Sequence, residues 1–215
     1  RPYVVFPVTT NANALLRNER LRGYEVGVDM TLSRDAELNL TLFDNKVKNA
    51  IANVTLSATE EQRQNLDAVD SQGIEFGARY GSGPLRFFGT LTYTHAEVEA
   101  SGIQAPLDGN RPAQTPKFAA SATLSFEPRE NWLFAATLRH VGTQFEGDQE
   151  NDPLRAATTL NLFGQVPIME RLSLIGRVEN LWDETVITRY QTTATGPSID
   201  IGAPQTFWIG LRWGY

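Results

Sequence analysis

Pro204-Gln205-Thr206-Phe207-Trp208-Ile209-Gly210-Leu211-Arg212-Trp213-Gly214-Tyr215, the last stretch of the sequence, alternates with period two. Phe207, Ile209, Leu211, Trp213 and Tyr215 share one parity; Thr206, Trp208, Gly210, Arg212 and Gly214 share the other. A β-strand sends alternate side chains to opposite faces. One face is therefore wholly apolar and aromatic-capped, and the other holds glycines, a charge and one tryptophan. A soluble protein rarely closes this way. A membrane-spanning barrel does, with lipid against the apolar face and the lumen against the mixed one.

Towards the N-terminus, eight more segments follow the rule. Arg22–Ser33 sets Tyr24, Val26, Val28, Met30 and Leu32 against Gly23, Glu25, Gly27, Asp29 and Thr31. Ala36–Ile51 begins with Leu38, Leu40 and Leu42 on one face. Its apolar positions then move to odd numbers at Phe43, Val47 and Ile51, for which a β-bulge is the expected cause. Ile74, Phe76, Ala78 and Tyr80 stand against Gly73, Glu75, Gly77 and Arg79. The others are centred on Phe87–Tyr93, Phe118–Phe126, Trp132–Leu138, Thr159–Phe163 and Leu172–Val178.

Connections alternate in length. Arg34-Asp35, Gly81–Pro84, Glu127–Asn131 and Val166–Glu170 are short and carry Pro, Gly, Asp, Asn or other turn residues. Asn53–Asp70, Glu97–Thr115, Thr143–Pro153 and Asp183–Ala203 are long. Short periplasmic turns and long outer loops are the pattern of a membrane barrel. On the apolar parity, Tyr80, Phe126, Trp132, Trp213 and Tyr215 lie near short turns or the C-terminus, and Tyr24, Tyr93 and Phe207 lie towards long loops. These are the expected aromatic belts at the two lipid headgroup levels. A soluble sandwich would also alternate, but its strands run to about 5–6 residues, against about 10 for a tilted membrane strand.

Composition narrows the class. Hydrophobic residues make up 41% of the 215, and no apolar run approaches a helical span. The net charge of −6 argues against a nucleic-acid partner. There is no cysteine, so disulfide scaffolds and thiolate metal sites are excluded. Arg1-Pro2-Tyr3-Val4 has no charged region leading into an apolar core, which suits a mature secreted protein, a cytosolic protein or an internal fragment. Bacterial single-chain barrels have even strand numbers. Nine segments therefore call either for a tenth strand ending in Tyr3–Thr9 or for a larger barrel of which this is the tail. Pro2 and Pro7 favour the second. Residues 1–20 are expected to be an outer loop or the end of a preceding strand, and 21–215 the C-terminal part of the barrel.

Several blocks then resemble one family. Asn180-Leu181-Trp182-Asp183-Glu184 followed by Tyr190, Gly202–Phe207 with Gln205 where Arg is usual, and Gly109–Pro116 resemble segments of TonB-dependent outer-membrane receptors. Arg22–Gly27 and Gln72–Phe76 resemble two of their strand starts, and Tyr215 stands at their terminal aromatic position. The resemblance implies an all-β transmembrane antiparallel barrel of about 22 strands, of which this chain supplies the last nine or ten. It implies a Gram-negative outer membrane, with lipid around the wall and the barrel-assembly machinery reading the C-terminal strand. It also implies TonB acting through a plug domain absent from these residues. The implied cargo is a scarce small chelate, most often a ferric siderophore, and no resident cofactor is implied.

Candidate residues follow. Glu25, Asp29, Glu75, Arg79, Arg139, Arg177, Glu179 and Arg212 are expected on the lumen, facing a plug or simply water. Arg111, Gln144, Arg189 and Tyr190, on long loops, are the candidate ligand contacts, although Arg111 equally suits a structural role in its loop. No catalytic residue and no metal ligand set is identified; His95 and His140 lack triad partners at a recognisable spacing. Competing readings are a passive porin-like channel, an outer-membrane enzyme, and a soluble carbohydrate-binding sandwich.

Overall fold

A computed structural model describes residues 9–57, 59–193 and 196–214. Nine strands form one antiparallel sheet in which every strand pairs with its neighbours in sequence. They are β1 (Arg20–Ser33), β2 (Ala36–Lys48), β3 (Ala68–Ser82), β4 (Leu85–Glu99), β5 (Phe118–Phe126), β6 (Leu133–Val141), β7 (Ala157–Met169), β8 (Leu172–Glu179) and β9 (Thr206–Trp213). All the short turns lie at one end of the sheet and all the long loops at the other. No helix among the described residues is long and apolar enough to cross a membrane.

The register carries the parity of each strand into the next. Val26–Leu42–Ile74–Tyr93–Phe118 is a continuous row on the apolar face. Gly27–Thr41–Glu75–Thr92–Ala119 is its counterpart on the mixed face. The apolar face is bare: Val26 is 69% exposed and Ile209 82%. An apolar surface of this extent requires a non-aqueous neighbour. The rows also slant. Ala36–Tyr80–Phe87–Leu124–Ala136–Leu162–Val178–Phe207 is one row of register partners, beginning beside a short turn and ending beside a long loop. This stagger is the shear that a tilted barrel wall requires.

The expected bulge at Phe43 is absent. β2 pairs without interruption from Lys48 to Glu37 with β1, and from Lys48 to Ala36 with β3. Phe43 instead belongs to the mixed face, opposite Glu25 and Gly73. Beyond it the two faces exchange character. Val47, Val69 and Val98 line up on the formerly mixed face, where Val98 joins Val54, Leu66, Ala100 and Leu107 in a buried cluster against which Val69 packs. Asp44, Lys46, Asp70 and Glu97 occupy the formerly apolar face. The strand keeps its phase while its surroundings invert. This also explains why β3 and β4 run on to Ala68 and Glu99, beyond their apolar segments.

Other bounds differ from expectation. β7 continues to Met169, so its turn shrinks to Glu170-Arg171, and the register shifts between Pro167 and Met169. Trp132 precedes β6, its N–H donating to the Arg129 carbonyl and its ring 6.0 Å from that of Phe134. Tyr80 pairs with Phe87, Phe126 with Phe134 and Trp213 with Leu172 at the turn end. Tyr93 pairs with Phe118, Tyr24 with Asp44 and Phe207 with Val178 nearer the loops. Tyr215 lies outside the described residues, as do residues 3–8 of the possible tenth strand. Thr9–Asn11 runs parallel to Glu60–Gln62, away from the wall.

Candidate functional site

The loop end is built rather than loose. Ile51–Ser57 and Glu60–Asn65 form a hairpin, Gly102–Leu107 a 3-10 turn, and Ile187–Thr193 with Gly196–Ile201 a second hairpin. Gln144-Phe145 pairs with Pro153-Leu154, which lies alongside Ile187–Thr193.

Side chains tie these loops together. The Asp148 carboxylate accepts from the Thr55 N–H at 3.1 Å and the Thr55 hydroxyl at 2.8 Å, and its carbonyl accepts from Asn110 Nδ2 at 3.0 Å. Arg111 is the densest junction. Its backbone N–H donates to Glu150 Oε1 at 2.9 Å, its Nε lies 3.5 Å from the same oxygen, and Nη1 donates to the Thr143 carbonyl at 3.1 Å. Its guanidinium lies 4.5 Å from the Phe145 ring centroid. Arg111 thus spends its donors on loop 142–156. Gln144 stands beside that junction, opposite Leu154. Arg189 and Tyr190 sit on the far hairpin, opposite Asp200 and Ile199. The four loop candidates thus fall into two groups, on neighbouring loops.

An amide-lined cavity of about 260 Å³ opens between residues 13–17, the base of the first hairpin and the 3-10 turn. Gln104 Nε2 donates to Gln64 Oε1 at 2.6 Å, and Gln64 Nε2 to Gln62 Oε1 at 3.0 Å. Asn65 receives the Arg17 N–H at 2.7 Å and donates to the Arg17 and Asn49 carbonyls at 3.0 and 2.7 Å. Such walls suit a polar ligand able to accept and donate hydrogen bonds.

Along the wall, Glu25, Asp29, Glu75, Arg79, Arg139, Arg177, Glu179 and Arg212 all fall on the mixed face by register. Two are joined near the loops through Trp208: Arg177 Nη2 is 3.3 Å from Glu179 Oε1 and its guanidinium 5.4 Å from the Trp208 centroid, while Trp208 Nε1 donates to Glu179 Oε2 at 3.2 Å. Arg79 lies 5.6 Å from the Phe88 ring centroid, and Arg212 Nη1 donates to Gln165 Oε1 at 3.3 Å. Glu25, Asp29, Glu75 and Arg139 stand apart from these contacts, each exposed. His95 and His140 are on the other face, His95 beside Glu97 at 3.0 Å and His140 sharing a 2.7 Å hydrogen bond with Thr158.

One structural centre escaped residue-by-residue reading. Asn180 is 4% exposed. Its N–H donates to Asn161 Oδ1, its Oδ1 accepts from the Glu184 N–H, and its Nδ2 donates to the Glu184 and Ala203 carbonyls. Gln205 Nε2 reaches the Leu181 carbonyl at 2.7 Å, and Asp183 Oδ1 accepts the Gln205 N–H at 2.9 Å. The Asn180–Glu184 block therefore fastens the last long loop onto β7 and the entry to β9. Its signal in the sequence was the family-like Asn180–Glu184 block as a whole; in the structure Asn180 and Asp183 take φ of 51° and 53°.

Comparison with known proteins fits this architecture. The vitamin B12 transporter BtuB of Photobacterium profundum is 21% identical over 183 residues, covering 83% of this chain and 29% of its own length. The ferric yersiniabactin uptake receptor FyuA of Yersinia pestis superposes with a TM-score of 0.76 at 18% identity, over 91% of this chain and 30% of its own. The copper transporter OprC gives 0.73 at 19%, over 94% and 31%. The chain spans under a third of each of these relatives. A family model described as "TonB dependent receptor-like, beta-barrel" matches residues 3–181. The chain therefore belongs to the TonB-dependent receptor β-barrel family, an outer-membrane family of transporters and receptors rather than enzymes.

Proposed function

We propose that this chain is the wall and outer-loop crown of a receptor that takes up a ferric siderophore across the Gram-negative outer membrane, driven through TonB by a plug domain outside these residues. The observation that carries the reading is the contrast between the two ends of one sheet. Compact turns lie at one end, and cross-linked loops holding an amide-lined cavity lie at the other. A passive pore has less need of such a crown. In this reading the loop end faces outside, and the cavity amides are one set of ligand contacts, with Arg189 and Tyr190 on the far hairpin a separate one. Arg111 and Gln144 shape the loops that carry them. Glu25, Glu75, Arg79, Arg139, Arg177, Glu179 and Arg212 face the lumen and plug. The C-terminal strand is the assembly signal.

The test is uptake of a panel of labelled ferric chelates by cells expressing the whole protein, with and without a proton uncoupler. Energised uptake is expected to stop with the uncoupler. Uptake that continues unchanged points to a diffusion channel. A second ligand class, a corrinoid, is favoured by the match to a B12 transporter, and labelled cobalamin in the same assay separates the two.

A further inference from the structure

We propose that Arg111 is a seat for a carboxylate of the incoming ligand, and that the chain's own Glu150 fills it as a displaceable stand-in while loop 142–156 is docked. The inference deepens the reading of the loop end as the ligand-facing side, and rests on it.

The crown has two kinds of fastening. The first and second long loops share an apolar core, in which Val54 and Leu66 pack with Val98, Ala100 and Leu107, all buried. Those two loops therefore form a firm platform. Loop 142–156 lies against it differently. Its middle, Glu146-Gly147-Asp148-Gln149-Glu150-Asn151-Asp152, has no apolar side chain. Its buried anchor, Leu154, comes only after that segment. The middle is held to the platform through hydrogen bonds and an ion pair, at Thr55, Asn110 and Arg111, which water can replace. Segments with few buried apolar contacts open at the lowest free energy.

Two features oppose docking. Glu150 sits at φ of 55°, a left-handed backbone that glutamate adopts only at a cost. Glu146 Oε2 is buried without a hydrogen-bond partner among the described residues, and its Oε1 meets Gln114 Nε2 only at 3.5 Å. A carboxylate oxygen shut away unpaired is a penalty that opening relieves.

The seat, by contrast, is preformed. The Arg111 N–H and Nε converge on one oxygen, Glu150 Oε1, at 2.9 and 3.5 Å. The guanidinium is steadied by the Phe145 ring and, through Nη1, by the Thr143 carbonyl. That stem of the loop is fixed in its own right: the Gly142 N–H donates to the Phe118 carbonyl, and the Phe145 carbonyl accepts from the Gln114 N–H, both at 2.8 Å. Lifting residues 146–152 would thus bare two aligned donors and a positive charge without dismantling them. Charge sets the class of occupant. Hydrogen bonds from a guanidinium to a carboxylate are stronger than those to a neutral oxygen. A ligand carboxylate would also seat without the backbone strain that Glu150 carries.

The experiment uses the whole receptor in detergent micelles and two iron-free probes: citrate, and the neutral triamide of the same acid. A nitroxide at Gln149→Cys reports the segment; Gln149 is exposed, and its amide oxygen accepts from Asn151 Nδ2. Citrate should mobilise the label and the triamide should not. Affinity is read by calorimetry on unlabelled protein. Glu150→Gly suits the positive φ and empties the seat. With the stand-in present about nine-tenths of the time, its removal should tighten citrate binding about tenfold, because apparent affinity scales with the competent fraction. Arg111→Gln should abolish citrate binding. Asp152→Asn removes a charge from the same segment but leaves the seat alone, and should bind citrate as wild type does. Heat-modifiable migration verifies the folded barrel; if Glu150→Gly fails it, Glu150→Gln should shift affinity the same way by a smaller factor. Unchanged citrate affinity in the folded Glu150 variants, equal binding of the triamide, or no citrate binding in any form overturns the proposal. The probes carry no iron and need neither TonB nor a gradient, so binding can succeed where the uptake test fails, and fail where that test succeeds.

Discussion

The Phe43 ring lies over Gly73 of the adjacent strand: a Cβ built on that glycine would stand 2.5 Å from Phe43 Cζ and would also collide with the Tyr93 carbonyl oxygen. The ring can turn away; the carbonyl is backbone and cannot. Gly73→Ala should therefore lower stability by about 1–3 kcal/mol, the usual cost of overpacking. At Gly77 the added methyl meets mainly the Asn39 side-chain amide, which is free to move. Urea titration of the folded barrel in micelles should show Gly73→Ala well below wild type and Gly77→Ala close to it.

The apolar face should reject charge. Phe76→Arg and Leu124→Arg place a guanidinium among side chains that meet hydrocarbon, at about 2–4 kcal/mol near the bilayer midplane. Glu75→Arg and Thr123→Arg, one residue away on the mixed face, should be milder, although Thr123 gives up its 2.9 Å contact with Thr137. Folding yield into lipid vesicles measures the difference. Equal damage on both faces would refute the facial assignment.

Arg111→Ala should loosen loop 142–156 without unfolding the wall. It removes an ion pair to Glu150, a hydrogen bond to Thr143 and a stack on Phe145. Charge-assisted hydrogen bonds contribute about 1.5–3 kcal/mol each. Limited proteolysis should cut near Gln149 faster while heat-modifiable migration stays unchanged. Arg111→Lys should rescue only partly, since an ammonium lacks the planar fork and stacking surface.

Asn180→Gly keeps a residue comfortable at positive φ but removes the side chain that serves Glu184 and Ala203. Glu184 and Ala203 are themselves exposed, so each lost hydrogen bond costs about 0.5–1.5 kcal/mol net. Reduced assembly is the expected result, scored as folded protein per cell. Normal assembly would show that backbone conformation, not hydrogen bonding, is what the position requires.

Sidedness can be read with single cysteines, since the native chain has none. Ile103→Cys, 88% exposed in the second long loop, should react with an impermeant thiol reagent on whole cells. Ser82→Cys, beside a short turn, should not. The reverse labelling would invert the orientation.

Period-two reading located all nine wall strands, because parity survives any tilt of the wall. It misjudged Phe43 because it treated apolar as synonymous with lipid-facing. At that level the apolar neighbour changes from membrane to loop core, and hydrophobicity changes side while the strand does not. The same assumption cut β3 and β4 short of Ala68 and Glu99. Pro167 suggested a turn, yet β7 takes it in where the register is already shifting. The loop crown was least legible. Its junctions join residues far apart in sequence, Thr55 to Asp148 and Arg111 to Glu150, and period-two patterning encodes no such distance. The loop motif around Arg111 hinted at structure, and its contacts now give that hint a chemical form.

The slanted row from Ala36 to Phe207 means that being register partners, strand after strand, does not mean sharing a depth. Tyr80 and Phe207 belong to one row, yet one adjoins a short turn and the other a long loop. In a bilayer whose two leaflets differ in thickness or lipid, one continuous belt of peptide groups samples both. A change of lipid on one side then meets that row at only one of its ends.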